Sequence, residues 1–401
     1  MINASYLLIV IPPYFEDENG EIWLEELWYR DLVAHLDYIK HLVVVCERRP
    51  MAAAEEGMKF KKLEKSLKDR LQFAPLPTTN STKQAPINFP INVWRLWRLI
   101  RKVDIVHSGV AGWPYPIGVI ANPIARLLKK PLVIVVESSP WRLGDRESAS
   151  KINRFREKWN EKFAVWSVRV ADLAVYTSPG YVTSLGEPRS GQMLVSPANW
   201  VQNSDILNAE TSNQVWDKKS GLVKVIFPSR LVPEKGVEVV LSALEKLDSM
   251  SVPIQVDVIG WGEMTDEVIR RLERLTSVKS SFLKPVPYGD AFFSLIRKYD
   301  ALIAPTLGDE QPRIIFDAYS QGLPVIASDT TGQSFIVDEN QTGFLYPKED
   351  AGDLATKLFE ISGQRARLRE MGIKALESAK QQTHEAMHAR REVELQKLLA
   401  K

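Results

Sequence analysis

The fold class predicted is α/β: two consecutive doubly wound domains, each a parallel sheet with helices on both faces. Three observations lead there. Short β-branched runs alternate with helical patterns along most of the chain. The runs are continuously apolar, the mark of strands buried on both faces. A polar, loosely patterned segment over 199–219 separates two such alternating sets.

The first set opens with a strand over 6–12, a helix over 24–36 and a strand over 42–46. A helix over 58–71 is expected next, because Phe60, Leu63, Leu67 and Leu71 share one face at helical spacing. Residues 94–102 read as a helix and 104–107 as a strand. The uncharged stretch 110–125 holds Pro114, Pro116 and Pro123. It is short and broken for a membrane span, so it reads as a buried helix. Strands over 131–136 and 173–176 complete this set, and strands over 223–227, 255–259, 301–304 and 324–327 make the second. The expected domains are 1–205 and 206–378, with a terminal helix over 379–401. Two such sheets facing one cleft would bind ligands at the carboxyl ends of their strands.

Composition narrows the function classes. The 401 residues are 45% hydrophobic and 25% charged, an ordinary globular balance that argues against disorder. The net charge of +2 does not point to nucleic acid as a partner. Cys46 is the only cysteine, so an internal disulfide and a zinc–cysteine cluster are excluded. That usage fits a reducing, cytoplasmic setting. The early acidic run Glu16-Asp17-Glu18 argues against a signal peptide.

Two segments could carry chemistry. After the strand over 223–227 comes Arg230, then Pro233-Glu234-Lys235-Gly236 and an apolar helix. Pro233 and Glu234 suit a helix start, whereas a lysine in the first turn opposes the helix dipole at a cost of roughly 0.3–1 kcal/mol. A bound anion would remove that objection, with Arg230 as a planar fork and Lys235 as a point charge. Two solvated side chains fit the local pattern equally well. The second segment holds Asp309 and Asp317, eight positions apart around Pro312 and followed by Gly322-Leu323-Pro324-Val325-Ile326. Asp309 is expected in the loop before a helix, and Asp317 about two turns inside it. Ile314, Ile315, Ala318 and Tyr319 would face the core and leave Asp317 on the other side. Asp317 could form a surface ion pair with Arg313, worth roughly 0.3–0.5 kcal/mol, or accept from two neighbouring hydroxyls. The pattern leaves both open.

Together these segments resemble the retaining glycosyltransferases of family 4, which have the two-domain GT-B fold. Arg230 and Lys235 match that family's basic pair in spacing, and Asp309, Asp317, Ala318 and Gly322 to Ile326 match its later motif in place. Thr331-Gly332 and Thr342-Gly343-Phe344-Leu345 look like its glycine turns. The likeness is strong over 223–350 and weaker before it. The resemblance implies a nucleotide-sugar donor and a glycan or lipid-linked acceptor, with no metal or other cofactor. Arg230 and Lys235 would hold the diphosphate, Asp317 the ribose, and Asp309 would lie against the transferred sugar. Backbone near Val286 would meet the base. Glu310 and the amides of Arg313 and Ile314 would complete the donor side. Catalysis would then rest on cations that stabilise the departing diphosphate. The chain contains no Asp-any-Asp metal motif.

Four departures from the family pattern bear on these roles. Both motif acids are aspartates, one methylene shorter than the family's glutamates. Pro312 removes a backbone donor. Glu137 stands where the family commonly has a histidine; it could bind sugar or pair with Arg142. Asn19-Gly20 replaces the early glycine-rich loop, so Gly20 is a candidate on the acceptor side, as is His107, which could equally be a hydrogen-bonded structural histidine.

Other motifs weigh less. Gly260-Trp261-Gly262 lacks the third glycine of a dinucleotide fingerprint and reads as a tight turn. His384-Glu385-Ala386-Met387-His388 matches the zinc-protease pattern, but in a charged tail a solvated helix face is the better reading. The basic helix expected over 59–70, and Trp94 and Trp97 among arginines, raise peripheral contact with the inner face of a membrane; a half-buried core helix is preferred. Two other functions remain open: a non-hydrolysing nucleotide-sugar epimerase on the same fold, and a catalytically silent glycan-binding or assembly protein.

Overall fold

The computed structural model describes residues 1–54, 58–78, 81–112, 114–142, 150–308 and 311–400. Asp309 and Glu310 lie outside the described residues. The chain divides into two compact units. The first comprises Met1–Thr177, Tyr181–Ser196 and His388–Lys401; the second comprises Ser178–Gly180 and Pro197–Met387.

The first domain begins with β1 (Ile2–Ile9), β2 (Tyr14–Glu16), β3 (Ile22–Glu25), α1 (Glu26–Tyr38), β4 (Ile39–Val45) and β5 (Arg48–Pro50). It continues with β6 (Phe60–Lys62), β7 (Leu71–Phe73), α2 (Gln84–Ile100), β8 (Ile105–Gly109) and α3 (Gly118–Leu127). Then come β9 (Leu132–Val136), α4 (Lys151–Val170), β10 (Leu173–Tyr176), α5 (Pro179–Leu185) and β11 (Gln192–Val195). Seven strands form one parallel sheet in the order β11-β10-β9-β8-β1-β4-β7. Its residues alternate between two cores: Leu132, Ile134 and Val136 face α2, α3 and α4, while Val133 and Val135 face the core containing α1.

The helix expected over 58–71 does not form. Residues Phe60–Lys62 instead pair antiparallel with β3, Lys61 opposite Leu24, within a small sheet ordered β5-β2-β3-β6. Strand pairing satisfies the backbone there, and tertiary context overrides the helical spacing. Gly20 connects two strands of the same small sheet. It sits exposed in the turn between β2 and β3 with φ +75°, where Asp17 accepts from Asn19 N, Glu21 N and Trp23 Nε1. That is a hairpin tip.

The second domain contains α6 (Ala209–Asp217), β12 (Val223–Arg230), α7 (Val237–Ser249), β13 (Ile254–Trp261), α8 (Thr265–Leu272) and β14 (Lys279–Leu283). It continues with α9 (Asp290–Ile296), β15 (Ala301–Ala304), α10 (Ile314–Ser320), β16 (Val325–Ser328), α11 (Thr331–Ser334) and β17 (Gly343–Tyr346). Helices α12 (Ala351–Ile361) and α13 (Arg365–Ala379) follow, and the last helix, α14 (His384–Leu399), belongs to the first unit from His388 onward. Six strands lie parallel in the order β14-β13-β12-β15-β16-β17. Numbered within the domain this is 3-2-1-4-5-6, the order that opens a crevice between the first and fourth strands. The segment expected to be a linker is structured: α6 belongs to the second domain, and Asn208 caps it by accepting from Thr211 N at 2.8 Å.

A buried polar cluster pins the end of α14 inside the first domain. Arg391 Nη1 donates to His35 Nε2 at 3.0 Å, so His35 carries its proton on Nδ1 and donates to Asp31 O at 2.8 Å. His388 spans Asp31 Oδ1 and Tyr38 OH, each at 3.1 Å. Tyr6 OH and His107 Nδ1 are hydrogen-bonded at 2.8 Å. Breaking a buried charged network leaves its remaining members unpaired, so Arg391→Ala should cost about 3–5 kcal/mol of stability, readable as a lowered denaturation midpoint. Burial lowers the His35 pKa to about 3. An unfolded histidine takes a proton near pH 6.5, so stability should fall as pH drops from there toward 3. Denaturant midpoints measured across that range check the sign.

Candidate functional site

The crevice of the second domain is built by the loops after β12 and β15. Strand β12 ends at Arg230, which is exposed, and a 3-10 turn over Pro233–Lys235 follows. Gly236 then adopts φ 72°, and a Cβ there would lie 2.0 Å from Pro305 O. Only glycine tolerates both the left-handed backbone and that approach. Leu307 N donates to Glu234 O at 3.1 Å. These contacts join the loop carrying Arg230 and Lys235 to the loop that leads toward Asp317. Lys235 closes the 3-10 turn ahead of α7, so it does not sit in the α-helix's first turn as the sequence suggested.

Asp317 lies in the first turn of α10, not two turns inside it, and is buried. The expected exposed face is absent because Ile315 through Ser320 are all buried, with α13 packed against the helix. Tyr288 OH donates to Asp317 Oδ1 at 2.8 Å. Burial pushes the carboxyl up to about 7, only partly opposed by the Tyr288 hydrogen bond and the Arg313 charge; the Asp205 charge adds to the rise. A carboxyl poised this way changes charge near neutral pH. Val286 is half-buried two residues before Tyr288, in the loop after β14. Ile314 opens α10 half-buried, and the Arg313 guanidinium lies 5.2 Å from the centre of the Trp200 ring. Gln311 fixes the same loop through Ala198, donating to its O at 2.9 Å and accepting from its N at 2.7 Å.

Sequence reasoning missed Tyr288, Asp205, Trp200 and Gln311. Their loops converge through topology, and no spacing motif marks them.

Candidates in the first domain separate. Glu137 is exposed just after β9, and its charge acts on Arg391. Arg142, weighed as its partner, forms a 2.6 Å ion pair with Glu161. His107 lies within β8, buried against Tyr6, which is the structural role weighed for it. In the zinc-protease motif, the Glu385 carboxylate accepts from Asn203 N and the His384 ring stacks on Trp200. Both nitrogens of His388 are engaged by Asp31 and Tyr38.

Comparison with known proteins agrees with this architecture. Residues 208–378 match the family described as glycosyl transferases group 1. The D-inositol 3-phosphate glycosyltransferase of Nocardia farcinica is 27% identical over 163 residues, 39% of this chain and 36% of that protein. Sulfoquinovosyl transferase SQD2 of Arabidopsis thaliana is 24% identical over 278 residues, 64% of this chain and 49% of that protein. The chain thus spans between 36% and 49% of the length of these two curated relatives. Among solved structures, sucrose-phosphate synthase from Thermosynechococcus elongatus superposes with TM-score 0.68 at 16% identity, covering 99% of each chain. Alr3699/HepE of Anabaena, in complex with UDP and glucose, gives TM-score 0.65 at 15% identity over 100% of each chain. At such identities the likeness establishes the two-domain GT-B fold.

Proposed function

We propose that this chain, whose residues 208–378 match the family of group 1 glycosyl transferases, moves a sugar from a nucleotide donor to a glycan or lipid-linked acceptor with retention of configuration. The observation that carries the reading is the junction of the two motif loops at the order reversal of the second sheet, through Glu234–Leu307 and Gly236–Pro305. Brought together there, Arg230 and Lys235 face the diphosphate and Asp317 accepts from the ribose hydroxyls. Backbone near Val286 meets the base. The amides of Arg313 and Ile314 approach the phosphate, and Glu310, outside the described residues, is assigned to the donor side from the motif alone. Asp309, outside the described residues, is assigned to the transferred sugar from the motif alone, and Glu137 to the first domain's part in the chemistry.

The bond from the anomeric carbon to the diphosphate oxygen breaks as the acceptor oxygen bonds to the same face. The acceptor's proton passes to the leaving phosphate. Negative charge grows on the diphosphate, and fixed cations that need no reorganisation stabilise it, so Arg230 and Lys235 supply what a metal would otherwise supply. The Anabaena structure holds UDP and glucose, which puts UDP-sugars first among donors to try.

A panel of UDP-, GDP- and ADP-sugars, read by thermal shift and then by product mass with lipid-linked acceptors, tests the reading. A transferase gives an acceptor heavier by one glycosyl residue. Donor converted without acceptor would mean an epimerase, and binding without turnover a silent binding protein. Either outcome ends the transferase reading.

A further inference from the structure

We propose that Trp261 is the platform on which the donor's nucleobase stacks; the proposal rests on the donor-site reading above and deepens it. Exposure by itself says little, since single apolar side chains often stand in solvent. Position is what singles out this one.

Trp261 ends β13 and is 67% exposed. Its backbone is nonetheless fixed. Leu231 N donates to Trp261 O at 2.8 Å, and Met264 N donates to Leu231 O at 3.0 Å. Gly262 N donates to Thr265 Oγ1 at 3.0 Å. A Cβ on Gly260 would lie 1.8 Å from Ser229 O, and one on Gly262 would lie 2.3 Å from Leu231 O. The two glycines let the end of β13 close onto β12 and leave the indole as the one side chain of residues 260–262.

Strand alternation fixes the face from which the indole projects. Ile226 and Ile259 pack in one core with Phe293 of α9 and Ala318 of α10. Trp261 stands two positions beyond Ile259 and Arg230 four beyond Ile226, so both project from that face. The ladder between β12 and β13 pairs Arg230 with Trp261, which sets their backbones about 4.8 Å apart. On the other side of β13, Ile259 pairs with Leu283, the last residue of β14. The loop that follows packs Val286 and Tyr288 against the same core, and Tyr288 reaches Asp317. Trp261 therefore lies between the cation assigned to the diphosphate and the backbone assigned to the base, on the face that carries the carboxyl assigned to the ribose. A nucleotide held by those groups presents its nucleoside to the indole.

Every base has a flat π face, so stacking on an indole adds affinity without choosing among bases. The choice of base falls to the loop after β14, whose backbone can hydrogen-bond a base edge. The transferred sugar is a poorer occupant, because the diphosphate at Arg230 separates it from the nucleoside.

Calorimetric titration of the full chain tests this, in wild type, Trp261→Ala and Trp261→Phe, with UDP, GDP and ADP and with the glucose-linked form of each. Trp261→Ala should weaken every nucleotide that the wild type binds by roughly 5–150-fold, and the glucose-linked form by the same factor. Trp261→Phe keeps an aromatic face and should recover most of the loss. The indole is exposed, so the thermal midpoint should hold in both variants and report that they fold. Equal nucleotide binding by wild type and Trp261→Ala overturns the stacking and leaves the donor site in place. A loss confined to the glucose-linked form would give the ring to the sugar and also overturn it. A wild type that binds no nucleotide would remove the donor site itself, and the stacking with it.

Discussion

Arg230→Ala is expected to lower turnover about 10²–10³-fold while leaving the thermal midpoint nearly unchanged. The two halves of this expectation have separate causes. Arg230 is exposed at the end of β12, so its loss removes no packing. In the proposed reaction it meets charge that is largest as the diphosphate departs, so its loss falls mainly on kcat rather than on KM. Lysine at 230 should recover only part of the rate, because a point charge does not replace a planar fork. Steady-state kinetics on wild type, Arg230→Ala and Arg230→Lys decide the matter. Equal turnover in all three would remove Arg230 from the chemistry.

Asp317→Asn is expected to stabilise the protein and weaken nucleotide binding at once. The folded carboxyl titrates near 7, whereas an unfolded aspartate titrates near 3.8. Between those values the folded state holds a proton that the unfolded state has lost. The stabilisation belonging to the protonated form is therefore lost as pH rises through 7, and above it a buried carboxylate opposes folding. Asparagine removes that penalty, a gain on the order of 2 kcal/mol larger at pH 8 than at pH 5. It also removes the charged acceptor proposed for the ribose hydroxyls, which should weaken nucleotide binding roughly 10–100-fold above pH 7. Wild-type affinity should decline as pH falls below 7, and the variant should lose that dependence. Thermal unfolding and calorimetric titration at pH 5, 7 and 8 measure both effects. A variant that is less stable at pH 8 and binds nucleotide normally would make Asp317 a structural residue only.

What the sequence made legible follows from how locally each feature is encoded. The strands at 173–176 and 301–304 form over the residues expected, Leu173–Tyr176 and Ala301–Ala304, because each is a short apolar run buried on both faces. The crevice position of Arg230 and Lys235 was legible too, since a loop after the first strand of such a domain must open at the carboxyl edge. The segment 58–71 misled because helical spacing was present while β3 offered a partner. The orientation of Asp317 misled because a helix packed all round has no solvent face to assign. Tyr288, which donates to Asp317 from 29 positions away, carries no local mark at all.

In the proposed function the crevice of the second domain holds the donor diphosphate. Calorimetric titration of the full chain with UDP, GDP and ADP, in wild type and Arg230→Ala, tests it most directly. One nucleotide should bind the wild type and bind Arg230→Ala at least about tenfold more weakly, as loss of a charge-assisted contact requires. Binding of no nucleotide, or equal binding by both proteins, would contradict it.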